Sequence, residues 1–279
     1  MDRTAIEAIG QLAIEAAAGN RLSTDTPAII LTARDGSQRV ESLEHLQPGR
    51  SRLRGKFTST ALQDFADFVV MRHEGTADPA PAQGFIDTDK MAATVYFNLG
   101  DHEHPGHGDH LATLALKPTA AYAALAAACS RPLGQRELHD FLEDWRDNTF
   151  ALYDGATDDG KPYSAALAAV RDITIETARS VNSVERDMGA TRSAMESVDA
   201  KSKLVLPSGF LFKAVPFEGL QERTFTLRLG VNTGGDKLTL VLRIQQAEAI
   251  TEAIAKDFRD RLAAKLGAAS SLTLGTFTP

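Results

Sequence analysis

A chain of 279 residues, 43% hydrophobic and 24% charged, is long enough to bury a sizeable core and too apolar to be a disordered tail. Its formal net charge of −7 argues against a protein that coats nucleic acid indiscriminately, because the mean field repels phosphate. The one cysteine, Cys129, forbids an intrachain disulfide and suits a reducing cytoplasm. The acidic N-terminal stretch lacks the form of a signal peptide, and no apolar run approaches the roughly 18 to 20 residues that cross a bilayer. A cytoplasmic protein with no membrane partner is expected.

Thr4–Ala18 places Ile6, Ile9, Ala13 and Ala17 at helical spacing, and Gly19-Asn20 closes that helix. Pro27–Ala33 reads as a short strand that turns at Asp35-Gly36 into a second one, Arg39–Leu46. Beyond Gln47-Pro48-Gly49 an extended basic segment runs to Phe57. Ser59–Arg72 sets Leu62, Phe65, Ala66, Val69 and Val70 on one helical face, and Gly75–Gly84 reads as a loop. Met91–Leu99 and Leu111–Leu116 form a hairpin, which Pro118 ends. Thr119 caps the alanine-rich helix Ala120–Ser130. A further helix to about Asn148 buries Leu138, Phe141, Leu142 and Trp145.

The polar loop Asp154–Gly160 reads as a hinge. A short helix near Tyr163–Val170 leads into the β-branched residues Ile173, Thr174, Ile175 and Thr177. Ser180–Ala200 fits either helix or irregular hairpin. Two prolines restrict Lys203–Phe217 to an edge or bulged strand. Arg223–Leu229 and Lys237–Ile244 alternate as a hairpin, followed by the helix Ala247–Leu266 with Ile250, Ile254, Phe258 and Leu262 on one stripe. Antiparallel hairpins and amphipathic helices without βαβ alternation define an α+β fold. The expected division is 1–155 and 156–279, or else one continuous domain.

The densest chemistry is the run Asp101–His110, with His102, His104, His107 and His110 at a hairpin tip. Imidazole is the commonest metal ligand and the usual proton shuttle near neutral pH. The four could surround zinc or another divalent ion with help from Asp101 or Asp109. Their spacings of two and three within one loop differ from ordinary ligand pairs, so a solvated tip or a pH-sensitive contact stays open. Asp109-His110, where the loop re-enters a strand, reads as a structural pin. Arg50, Arg52, Arg54 and Lys56 alternate, so in a strand all four would share one side and could track phosphates or an acidic surface of another subunit. Glu143, Asp144 and Trp145 supply a structural or interface face on the later helix. No phosphate-binding Gly-rich loop, dinucleotide fingerprint or paired cysteine is present.

Ser42-Leu43-Glu44 before the Arg50–Gly55 stretch, the helix ending at His73, Gly108-Asp109-His110, Gln135 with Phe141-Leu142-Glu143-Asp144, Leu206-Pro207 and Phe217-Glu218-Gly219 follow one another in this order. That order resembles the YfdQ-like proteins of tailed phages and prophages, over roughly Ala28 to Leu266. The family has no established activity, so the resemblance implies a viral or prophage origin. In that family an aromatic residue stands shortly before the Asp-His pair, where this chain has His107. The expectation is a non-enzymatic accessory protein that forms a homo-oligomer. A DNA-binding factor using Arg50–Lys56, or a metal-dependent hydrolase using His102–His110, are the alternatives.

Overall fold

In the computed structural model the described residues are 27–32, 37–74, 81–153, 162–173, 206–232 and 238–279, preceded by Thr4, 6–10 and Ala13. They fall into two compact bodies, Met1–Gly55 and Lys56–Pro279. The fold is α+β, as the alternating and helical periodicities predict.

In the first body, strands β1 (Ala28–Thr32) and β2 (Gln38–Ser42) pair antiparallel from Ala28↔Ser42 to Thr32↔Gln38. A 3-10 turn, Glu44–Leu46, follows in place of the expected strand continuation to Leu46. The described residues of the N-terminal stretch are helical, but Ile6 and Ile9 are exposed. The buried hydrophobic residues begin only at Leu62, and Glu44 is the one described residue of this body that is buried.

The second body contains two sheets. One has the order β11-β4-β5-β6-β3, built from β3 (Gly55–Ser59), β4 (Ala82–Asp87), β5 (Ala92–Tyr96), β6 (His110–Ala115) and β11 (Ser270–Leu274). The other has the order β10-β9-β8-β7, built from β7 (Thr149–Leu152), β8 (Gly209–Ala214), β9 (Arg223–Asn232) and β10 (Thr239–Ile244). The helices are α1 (Leu62–Glu74), α2 (Ala120–Cys129), α3 (Gln135–Asp144), α4 (Tyr163–Asp172) and α5 (Ala247–Leu266). Their periodicity explains their placement: α1 buries Leu62, Phe65, Ala66 and Val69, and α5 buries Ile254, Phe258, Leu262 and Leu266 at steps of four. These two helices pack together and α1 covers β6, while α2 and α3 cover β10. Thr119 caps α2 as expected, its hydroxyl accepting from the Tyr122 N–H at 3.3 Å. One hydrophobic core runs through both sheets, from Phe65 and Val95 to Phe212 and Phe225.

β7 and β8 pair from Thr149↔Phe212 to Leu152↔Gly209, and β11 pairs parallel to β4. Contacts divide the chain at residue 55. β4, β7 and β11 escape the sequence pattern, and β8 differs from it in position. β4 occupies part of the expected Gly75–Gly84 loop, because its buried alternation Ala82, Gly84, Ile86 uses small residues. β7 begins at Thr149, directly after the expected end of the helix at about Asn148. That helix stops at Asp144 and passes through a 3-10 turn at Arg146–Asn148. β8 lies inside its sheet rather than at an edge, since Pro207 and Pro216 fall outside the strand on either side. The expected hinge Asp154–Gly160 and the stretch Ser180–Ala200 lie outside the described residues.

The parallel β11–β4 pair depends on Gly84, where a Cβ would stand 2.5 Å from Leu272 Cδ2 and 2.9 Å from Ser270 Oγ. Gly84→Val is therefore expected to destabilise the protein by about 1–3 kcal/mol through overpacking. Leu272→Ala in the same chain should restore part of the loss in a thermal or urea melt.

Candidate functional site

The histidine run does occupy the connection between β5 and β6, which pair antiparallel from Tyr96↔Leu111 to Ala92↔Ala115. The tip is fastened by its backbone. Gly106 N–H donates to Leu99 O at 2.8 Å, Gly108 N–H donates to Asn98 O at 3.1 Å, and Gly100 bridges Pro105. The Asp101 carboxylate is engaged locally, accepting from the Glu103 N–H at 2.9 Å and the His104 N–H at 2.6 Å. His102, His104 and His107 are exposed around this turn. Among the described residues no three His, Cys, Asp or Glu side chains come together as a metal ion requires.

Asp109 and His110 belong to a different environment. The Asn98 side chain bridges them, donating through Nδ2 to Asp109 Oδ1 at 2.9 Å and accepting through Oδ1 from the His110 N–H at 2.9 Å. The His110 ring lies 4.7 Å from the Phe97 ring, which adjoins Phe68; Phe68 stacks on Phe57 and lies beneath the Arg72 guanidinium at 5.2 Å. Burial, reinforced by the positive charge of Arg72, holds the His110 pKa below its ordinary value, and Asp109 opposes that shift. Gly108, at φ +64°, is buried against the chain terminus, where a Cβ would meet Pro279 Cγ at 2.7 Å. The tail itself is clamped: Phe277 stacks on Phe85 at 5.0 Å, and Tyr96 donates its hydroxyl to Phe277 O at 2.9 Å. Asn98, Phe97, Arg72 and the tail were not singled out from the sequence. The Asn-x-x pattern at a strand end was the one signal that could have found Asn98.

Within the basic segment, residues 51 and 52 are bends, 53 and 54 lie in no regular element, and β3 starts at Gly55 with φ +135°. Arg54 pairs with the buried Glu44 carboxylate, which also accepts from the Ser51 N–H at 3.1 Å and the Ser51 hydroxyl at 2.8 Å. The Ser51 hydroxyl first, then its N–H and Arg54 and Arg50, hold the Glu44 pKa below its ordinary value. The Arg50 guanidinium donates to Arg54 O at 3.4 Å, and Arg52 is half-buried. Lys56 is exposed on β3. On α3 the expected face divides: Glu143 and Asp144 are exposed, while Trp145 packs edge-on against Phe212 at 6.3 Å and accepts through its carbonyl from the Thr149 hydroxyl at 2.8 Å.

The fold thus defines an α+β protein with two sheets on a shared core, a pinned Asp-His corner and a separate, polar-stapled N-terminal body. It belongs to a family of uncharacterised conserved proteins, DUF2303, whose model matches residues 2–277. No curated protein and no solved structure matches the chain significantly.

Because the folded-state pKa of His110 lies below that of the unfolded chain, the unfolded state binds the extra proton. Stability from this residue is complete above about pH 6.5 and is lost as pH falls through the folded-state value. Urea midpoints measured between about pH 7.5 and 5.5 should decline, and His110→Asn should flatten that decline even if it lowers the midpoint throughout.

Proposed function

We propose that this chain is a non-enzymatic accessory protein of phage or prophage origin that assembles with copies of itself through residues 1–55, in the host cytoplasm. One observation carries this reading. Of the ten large apolar side chains exposed among the described residues, six (Ile6, Ile9, Leu31, Val40, Leu46 and Leu53) lie in the first body. A body with no buried hydrophobe among its described residues gains little stability from its own packing. A two-stranded sheet is marginal alone, and among the described residues no third strand pairs with it. A strand edge meeting its own copy across a two-fold axis gives an antiparallel pair by symmetry, which favours a second copy of this chain as the occupant.

The order of landmarks from Ser42 to Gly219 supports the phage origin. Among the described residues no helix is long and apolar enough to cross a membrane, which agrees with a cytoplasmic setting. The DNA-binding alternative through Arg50, Arg52, Arg54 and Lys56 draws less support, because Arg54 is committed to Glu44. Light scattering at micromolar concentration should give a multiple of the 30.0 kDa chain mass. Val40→Glu with Leu46→Glu should shift it toward the single-chain mass while the melting transition of the second body is kept. A monomer for the unaltered protein, or an oligomer indifferent to those changes, would refute assembly through this body.

A further inference from the structure

Residues 275–279 are exposed, yet specific contacts seat them on the second body. Phe85 and Tyr96 leave β4 and β5 on the face opposite the core residues Ile86 and Val95. Phe277 stacks on Phe85 at 5.0 Å and meets Tyr96 edge-on at 6.0 Å, and Tyr96 is buried there outside the shared core. The seat is incompletely filled: a cavity of about 120 Å³ is lined by Phe85, Asp87, Thr94, Gly275 and Phe277. The tail leaves β11 through Gly275, at φ +128°, where nothing lies within 4 Å of a Cβ. That glycine is a hinge with room to turn. The far end reaches the histidine loop, since Pro279 lies against Gly108, whose N–H donates to Asn98 O at 3.1 Å. The loop base is thus gripped at two points, by Pro279 at Gly108 and by the packing of His110 on Phe97.

The His110 corner is built to hold one cation. The Arg72 guanidinium lies over Phe68 at 5.2 Å, and its Nε is buried without an acceptor. Phe68 adjoins Phe97, against which His110 packs. A proton on His110 puts a second positive charge at this half-buried aromatic corner, and Asp109, already bound to Asn98, offsets only part of the cost. The neighbouring titratable groups act differently. His73 follows Arg72 on α1 and is half-buried. His104, at the exposed tip, stands 3.7 Å from Asp101 Oδ1, so its protonation tightens the tip; His102 and His107 are exposed around the same turn. On the tail side, Asp87 accepts from the Lys90 N–H at 3.1 Å and pairs with Lys90 Nζ at 3.3 Å. That N–H bond, and then the Lys90 ammonium, hold the Asp87 carboxyl below its ordinary value, so it keeps its charge where histidines titrate.

We propose that residues 275–279 form an acid-released strap: when His110 takes a proton beside Arg72, the Asp109-His110 corner shifts, Gly108 withdraws from Pro279, and the tail swings at Gly275 off Phe85 and Tyr96. Release leaves an aromatic pair uncovered on the sheet. The seated state favours the neutral ring, so closure is complete above about pH 6.5 and is lost as the pH falls through the seated-state value. The device lies within the second body and needs no assembly, so it and the self-association reading can fail separately.

Hydrogen–deuterium exchange of the full chain between about pH 7.5 and about pH 5, corrected for the intrinsic pH dependence of amide exchange, tests it. Peptides covering 97–110 and 270–279, which include the Gly275 amide bonded to Ile86 O, should exchange several-fold faster at the acid end. The β9–β10 hairpin should keep its protection. His110→Asn should flatten the acid response of the tail, and Arg72→Gln, which removes the like charge, should reduce it. His102→Asn, His104→Asn and His107→Asn combined, or His73→Asn alone, should leave it intact. Pro279→Gly should uncouple the two ends, so that 97–110 still responds to acid and the tail does not. A tail whose corrected exchange is flat over this range, or which responds equally in His110→Asn or in Pro279→Gly, overturns the proposal. So does a hairpin that loses protection together with the tail, because that marks global unfolding. Should His110→Asn fail to fold at about pH 7.5, Arg72→Gln decides, and an undiminished response there overturns the strap.

Discussion

The parallel pairing of β11 with β4 is the constraint on which the second body rests. It joins residues far apart in the chain: the buried Ser270 hydroxyl donates to Ala82 O at 2.9 Å, and the register continues to Leu274↔Ile86. Parallel neighbours need a long connection, and here α5 precedes the last strand, packed on α1. Once β11 is seated, the tail follows a fixed course. Gly275 N–H donates to Ile86 O at 2.8 Å, Phe277 lies on Phe85, and Pro279 closes on Gly108. The base of the histidine loop is therefore built partly from the last residues of the chain. Closing so long a loop is entropically costly, so this pairing is worth its cost only because it completes a core shared by both sheets.

That dependence explains which elements were legible in the sequence. β9 and β10 carry Phe225, Leu227, Leu240 and Leu242 at strict alternation and pair with each other locally, so their hairpin could be read without any distant partner. The α5 stripe was legible for the same reason. β4 and β11 were not: their buried positions include Ala82, Gly84 and Ser270, small residues whose burial is decided by a strand nearly two hundred residues away. β7 is a four-residue strand directly after the helical spacing that Trp145 extends past the true end of α3, so little pattern remained to mark it.

The candidate sites show a parallel limit. Residue type drew attention to four histidines at once, whereas their surroundings separate them. Three are exposed around the Pro105-Gly106 turn, whereas His110 is half-buried against Phe97, with Asn98 accepting its backbone N–H. Most of the arginine stripe lies before β3, which begins at Gly55, and Arg54 is paired with the buried Glu44 carboxylate.

The two bodies are held by different physics, and this bears on how the protein works. The second owes its form to apolar burial, which is largely indifferent to pH and salt. The first owes its form to a buried carboxylate fed by Ser51 and Arg54, where charge and hydrogen bonds replace a core. A polar staple fixes a conformation but supplies little cohesive energy, because the desolvation of Glu44 offsets much of its attraction to Arg54. The apolar side chains that would provide cohesion are turned outward instead. On the assembly proposed above, folding of the first body and its association would be coupled: covering Val40, Leu46 and Ile9 would supply the burial that its described residues lack. The Glu44 staple would then select the shape presented to the second copy, and association would stabilise that shape.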